Sequence, residues 1–312
     1  MRCMSASMMT DEVPAALDGQ RLDRIVALMG DISRSDAAAA IAAGGVIVDG
    51  GAASSGKVRL TEGQVVSLDP ATFPQVELPR ADSSVEFGVV HEDDHVVVVD
   101  KPAGLVVHPG AGNLTGTLAN GLLARFPDIE GVGDPMRPGI VHRLDAGSSG
   151  LLVVARTNHA AEYLIDQFAD HTCTRRYEAL VWGVPDAPHG IIDAPLGRNR
   201  NDPLKMAVVA HGKYARTDYR VIGTYSEPAV VSRLECRLET GRTHQIRVHL
   251  ASINHSLVGD PIYGQRRPDL GVQRPFLHAA ELAFNHPGSE ERVTFHSPLA
   301  SDLQAWLDAA VA

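Results

Sequence analysis

Apolar positions recur at two different periods along this chain, and the change from one to the other divides it. Toward the front the period is helical. Leu22, Ile25, Val26 and Met29 fall on one face, and Ser33 with Asp36 three residues on is a capping-box spacing that opens a second helix, ending at Gly44. Short strands follow at residues 46–49 and 64–68, parted by the Gly50-Gly51 turn and the Ser54-Ser55-Gly56 loop. Residues 78–84 contain Pro79 and no period, and read as a linker. Beyond them strands dominate: residues 85–90 and 96–100 around the acidic turn Glu92-Asp93-Asp94, residues 175–181 with Tyr177 on one face, and residues 233–239 with Leu234, Cys236 and Leu238 opposite charged positions. Residues 158–171 form an amphipathic helix with Ala161, Leu164, Ile165 and Phe168 on one side. Thr243 reads as the N-cap of another, which places Ile246, Leu250 and Ile253 on its inner face and Arg247 in its first turn. Residues 1–14 are polar, methionine-rich and aperiodic, a disordered lead. The pattern therefore predicts a lead at 1–14, a small α/β domain at 15–77, a linker at 78–84, and at 85–312 an α+β domain with a mixed, mostly antiparallel sheet and flanking helices.

Composition narrows the class. A chain of 312 residues with 44% apolar content suits about two domains with real cores. No run approaches the roughly 18 apolar residues of a membrane span, and residues 1–10 hold one arginine and no apolar segment of a secretory signal, so a cytoplasmic protein is expected. Cys3, Cys173 and Cys236 are too scattered for a disulfide framework or a cysteine zinc site. The net charge of −10 is uneven: residues 1–100 carry 7 Lys and Arg against 16 Asp and Glu, and residues 101–312 carry 21 against 22. Between positions 198 and 220, Arg198, Arg200, Lys205, Lys213, Arg216 and Arg220 outnumber Asp202 and Asp218, which makes a candidate phosphate-contacting stretch. A solvated hairpin face fits the same charges.

Chemistry gathers first at residues 139–156, where Asp145 follows His142 and Arg143 on a turn closed by Gly147 and Gly150. Charged neighbours would keep that carboxylate ionised, and glycines would let a ligand come close. Arg247, beside a buried helix face, needs a carboxylate partner. His244 and His249 are five apart, which separates them around a helix, and no further ligand motif supports a metal.

Four blocks stand in order along the second domain: Asp100-Lys101-Pro102-Ala103-Gly104-Leu105-Val106-Val107-His108-Pro109; His142-Arg143-Leu144-Asp145; Arg175-Arg176-Tyr177-Glu178-Ala179-Leu180-Val181; and Thr240-Gly241-Arg242-Thr243-His244-Gln245-Ile246-Arg247-Val248-His249-Leu250 with Gly259-Asp260-Pro261-Ile262-Tyr263-Gly264. In order and content they resemble the RluA/RluD family of pseudouridine synthases, which isomerise uridine in folded RNA. The string Val107-His108-Pro109-Gly110-Ala111-Gly112-Asn113 is similar to the RluD branch. About fifty residues around Ser33-Arg34-Ser35 and Gly44-Gly45-Val46-Ile47-Val48-Asp49-Gly50 resemble the RNA-binding module of ribosomal small-subunit protein four.

The resemblance implies a base-flipping isomerase of ribosomal RNA, of the large subunit by its likeness to the RluD branch, working without a cofactor or metal. It implies Asp145 as the catalytic residue, Tyr177 with Ile246 against the target base, Arg247 paired with Asp145, and Arg143 with His142 at the base-flipping or RNA contact. Arg34, Arg198, Arg200, Lys205 and Arg242 are then the candidate phosphate contacts. The partner expected is structured RNA, a ribosomal RNA or precursor, met by a monomer away from membranes. Relatives commonly carry Lys-Asp after the aspartate, whereas Ala146 and Gly147 follow here, which implies a looser turn. That departure leaves a second reading open, a catalytically idle RNA-binding or ribosome-assembly factor. A glycoside hydrolase would need a second carboxylate across the scissile bond, and none is in sight near Asp145.

Overall fold

The computed structural model of the chain describes residues 7–74, 77–110, 112–202, 205–264 and 267–311. They divide into two compact units, Met1–Glu77 and Leu78–Ala312.

In the first unit the expected elements form: α1 at Leu22–Gly30, α2 at Arg34–Ala42, β2 at Val46–Val48, β3 at Gly51–Ala52 and β4 at Val65–Leu68. The Ser33 hydroxyl accepts the amide of Asp36 at 3.1 Å, satisfying one orphan donor at the start of α2. Leu22, Ile25 and Val26 of α1 meet Ala37 and Ile41 of α2 over Val46, Val66 and Leu68 of the sheet. The disordered lead is corrected in part. Residues 1–6 lie outside the described residues, but Met9–Glu12 form an edge strand, β1, antiparallel to β4 with Met9 opposite Leu68. All four residues of β1 are exposed, so it has no apolar alternation to read, and its order comes from the ladder that β4 offers.

The second unit carries a nine-stranded mixed sheet. Its strands are β5 (Gly88–Glu92), β6 (Val96–Lys101), β7 (Ser149–Ala155), β8 (Thr174–Trp182), β9 (His189–Asp193), β12 (Arg216–Tyr225), β13 (Val231–Leu238), β14 (Leu277–Asn285) and β15 (Arg292–His296). A hairpin of β10 (Leu196–Arg198) and β11 (Met206–Val208) stands apart, and the helices are α3 (Leu118–Arg125), α4 (Asn158–Ala169), α5 (Gln245–Ser252) and α6 (Ser301–Ala309). The sheet runs β5-β6-β7-β14-β8-β13-β12-β9, with β15 paired to β14, and only the β7–β14 pair is parallel. Residues 78–84 run alongside α3, with the Asp82 amide donating to Asn120 O and the Asn120 side chain donating to Arg80 O.

Strand β7 is buried along its whole length because both its faces are covered. Leu152 and Val154 pack with α3, while Leu151, Val153 and Ala155 pack with Leu164 of α4. On the far side of β14, β8 sends Tyr177, Ala179 and Val181 to the first of these cores, where Ile246 and Leu250 of α5 meet them. This period-two alternation brings Tyr177 to the same side as the turn that leads into β7. No helix among the described residues is long and apolar enough to cross a membrane.

Candidate active site

The turn before β7 is held from several sides. Ser148 N donates to Asp145 O, Gly104 N donates to Ala146 O, and Arg274 Nη1 reaches Gly147 O at 3.3 Å. Beneath it lies Lys101, fully buried, whose ammonium donates to Pro102 O and Leu105 O at 2.9 Å and to Ala146 O at 3.2 Å. Burial lowers the Lys101 amine to about 7, against the opposing pull of Asp145. The turn is therefore fastened through its carbonyls despite Ala146 and Gly147, contrary to the looseness expected. The glycines also serve a different end from the one expected. At Gly150, with φ +109°, a Cβ would sit 2.3 Å from Ala279 O, and at Gly147 it would meet Pro275, so both admit neighbouring protein rather than a ligand.

Asp145 is partnered from α5, not by its chain neighbours. Arg247 Nη1 donates to its Oδ2 at 3.2 Å, with 16% of the Asp145 side chain exposed and 5% of Arg247. Arg143 instead stands exposed, its Nη1 3.3 Å from His108 Nε2. His142 turns inward, its Nε2 accepting the Val153 amide at 3.0 Å and its ring 4.5 Å from that of Phe168. Burial, with help from the Arg175 charge, pulls His142 down to about 3, so it contributes a neutral ring to the wall.

Arg247 has a second carboxylate that the sequence reading missed. Asp260, whose side chain is fully buried, receives Arg247 Nε at 2.8 Å and Nη2 at 2.9 Å, and also the amides of Ile262 and Tyr263. The guanidinium is thus fixed as a fork on Asp260 and presents its remaining arm to Asp145. The start of α5 is corrected too: His244, not Thr243, is the N-cap, in the left-handed region at φ 56°. The Gln245 side-chain Oε1 accepts both the Arg242 amide and the Thr240 hydroxyl, which fixes the turn ahead of α5, and no side chain caps the helix itself.

These groups surround one cleft of about 340 Å³, lined by His108, His142, Arg143, Asp145, Arg175, Tyr177, Arg242, His244 and Ile246 among others. Tyr177 is buried with its phenol pushed up to about 12 by desolvation, so it remains neutral. Arg175, absent from the sequence-based site, is buried with its guanidinium 5.3 Å from the Phe168 ring, one Nη donating to Glu239 O and its Nε without a partner.

The expected phosphate contacts are dispersed. Arg34 is bonded to Asp23 at 2.7 Å, and Lys205 to Asp202 at 3.4 Å. Arg216 pairs with Glu239 and Arg220 with Glu235, so much of the surplus between 198 and 220 is neutralised within the fold. Arg198 ends β10, Arg200 and Lys213 are exposed, and Arg242 lies at the cleft with its Nε on Tyr214 O. Among the described residues no group of three or more histidine, cysteine or acidic side chains is placed to hold a metal.

Residues 95–252 match the family model for RNA pseudouridylate synthases, and residues 20–66 match that for the S4 domain. The chain is 44% identical over 301 residues to the ribosomal large subunit pseudouridine synthase D of Zymomonas mobilis, covering 92% of each. It is 43% identical to the protein of the same name from Pseudomonas aeruginosa, covering 95% of this chain and 93% of that one. Among solved structures it is similar to human RNA pseudouridylate synthase domain containing 1, with a TM-score of 0.57 and 28% identity over 73% of this chain and 90% of that one.

Proposed function

The chain belongs to the RNA pseudouridylate synthase family, and from that premise we propose that Asp145 isomerises uridines of large-subunit ribosomal RNA, in the cytoplasm where that RNA is found. The observation that carries the assignment is the single carboxylate among the described residues that line the cleft, bonded by Arg247 and sharing that lining with Tyr177. Isomerisation breaks the bond from N1 of uracil to C1′ of ribose, turns the base, and joins C5 to C1′; the C5 proton departs and N1 gains one. One anionic oxygen serves either route to it, by adding to C1′ or by removing a proton from the sugar. Tyr177 and Ile246 supply a flat and an apolar wall for a uracil drawn out of its stack, and exposed Arg143 sits where it can fill the gap left behind. RNA binding also involves the S4 domain at residues 20–66, and we take residues 15–77 as that module and 85–312 as the catalytic domain. Release of tritium from C5 of uracil in unmodified large-subunit ribosomal RNA tests the reading. No release would favour the idle RNA-binding factor.

Substitution at Tyr177 separates stacking from packing. Tyr177→Phe keeps the ring, and RNA affinity should stay within about twofold; Tyr177→Ala should lose about 1–3 kcal/mol of stacking. Filter binding on both variants, alongside thermal melts, checks this. Equal affinity for the two would leave Tyr177 as a core residue only.

Phosphate contacts should make binding depend on salt in spite of the net negative charge. With about three phosphates neutralised, affinity should drop roughly a hundredfold for a tenfold rise in salt. An affinity that holds steady between 50 and 500 mM salt, taken as roughly that tenfold span, argues against a phosphate-contacting surface.

A further inference from the structure

His244 spends one ring nitrogen on a hydrogen bond and turns the other toward Asp145. At the N-cap of α5 its Nδ1 lies 2.8 Å from Tyr263 Oη, and the Met206 amide donates to the same oxygen at 2.9 Å. The Met206 amide can only donate, and no other acceptor is bonded to this oxygen among the described residues, so the phenol's one proton is assigned to His244 Nδ1. The ring's own proton then sits on Nε2. Burial, together with the Arg247 and Arg143 charges, holds the imidazole below its ordinary range against the pull of Asp145 and Asp260, so the ring is neutral near pH 7.

That Nε2–H faces Asp145 Oδ1 across 4.0 Å, too far for a direct hydrogen bond, while Oδ2 of the same carboxylate is held by Arg247. Both residues line the cleft. A single atom bridging a donor and an acceptor must itself accept and donate; a hydroxyl oxygen does both and a uracil carbonyl oxygen does not. If Asp145 works on the sugar as proposed above, its oxygen comes within about 3–3.5 Å of C1′ or C2′. The hydroxyl then nearest is the 2′-hydroxyl, bonded to C2′ and two bonds from C1′.

We propose that His244 Nε2–H and Asp145 Oδ1 together hold the 2′-hydroxyl of the target nucleotide, which makes His244 a residue that distinguishes ribose from deoxyribose at the modified position. Tyr263 is then a positioning residue, acting by fixing the proton of His244. This rests on the assignment of Asp145 as the catalytic group.

Two substitutions divide the ring. His244→Asn places an amide where Nδ1 sits, tolerates the left-handed backbone, keeps the Tyr263 contact and lacks the Nε2 arm; His244→Gln reaches the Nε2 position and gives up Tyr263. Full-length parent and variants are compared in single turnover on a ribosomal RNA stem-loop bearing the modified uridine, and on the same stem-loop with 2′-deoxyuridine there. The parent should favour ribose by at least about tenfold, the order expected of a hydrogen bond network that includes a charged group. His244→Gln should keep most of that preference. His244→Asn should bring it to within about twofold of unity and slow the ribose substrate by about tenfold. A merely structural histidine predicts the reverse order. No preference in the parent, a full preference in His244→Asn, or its loss in His244→Gln overturns the inference. No tritium release from ribose RNA by the parent would instead overturn the functional assignment beneath it.

Discussion

Asp145→Asn should reduce tritium release from C5 of uracil by at least about a thousandfold while leaving the fold and RNA binding close to the parent's. Asn has nearly the size of Asp and can still accept a hydrogen bond from Arg247, but it offers neither an anionic nucleophile nor a base. The effect on stability follows from Asp260. If Asp145 were the sole partner of Arg247, neutralising it would leave a buried cation, and Arg247→Met would relieve the strain. Instead Arg247 keeps its two bonds to Asp260 at 2.8 and 2.9 Å, and Asp145 is partly exposed. Thermal melts of Asp145→Asn should thus stay within about 1 kcal/mol of the parent, as for loss of one hydrogen bond at a partly wet site. Adding Arg247→Met should lower stability further, because it strands the Asp260 carboxylate. Turnover by Asp145→Asn within tenfold of the parent would move the chemistry to another residue.

The sequence pointed to Asp145, Tyr177 and Arg247, which the structure brings together at one cleft, but not to the groups that hold them. Asp145, Tyr177 and Arg247 were singled out by the four ordered blocks and the resemblance they carry, because an aspartate in a glycine turn or a tyrosine in an alternating strand is ordinary by itself. The partner Asp260 lies thirteen residues beyond Arg247, in a Gly-Asp-Pro turn that by itself is ordinary loop chemistry. Its role appears only when α5 and that turn pack together. Lys101 was hidden for a related reason: lysines are mostly exposed, and only the closure of three carbonyls around this ammonium makes a buried one tolerable. Charge counting failed between positions 198 and 220 because β12 and β13 pair across the sheet, setting Arg220 opposite Glu235. The positions of β6, β8 and β13, in contrast, followed from period, since valine-rich and alternating runs have few other ways to bury themselves.

Asp260→Asn should be the more damaging change to the fold. The Asp260 side chain is fully buried and that of Arg247 is 5% exposed, so removing the Asp260 charge leaves Arg247 nearly dry with only its single bond to the partly exposed Asp145 to answer it. Breaking one side of such a pair costs about 3–5 kcal/mol, which for a domain of this size lowers the melting temperature by roughly 6–20 °C. Replacing both partners, Asp260→Asn with Arg247→Met, should recover part of the loss and show a coupling of about 1–3 kcal/mol between the positions. Acid should reveal the same pair. Burial pushes the Asp260 carboxyl up, but the hydrogen bonds and charge of Arg247 with the Tyr263 and Ile262 amides outweigh it and hold it below its ordinary value. A carboxyl lowered in the folded state adds stability that is present above its unfolded value, about 3.9, and is lost as pH falls through the folded one. The gap between parent and Asp260→Asn should therefore be steady from neutral pH down to about pH 4 and should shrink below it. Turnover should fall alongside stability, since the arm that Arg247 extends to Asp145 is aimed by its fork on Asp260. Chemical denaturation from pH 3 to 7 with tritium release at pH 7 decides the matter, and a variant as stable as the parent would show that Arg247 is held by something other than Asp260.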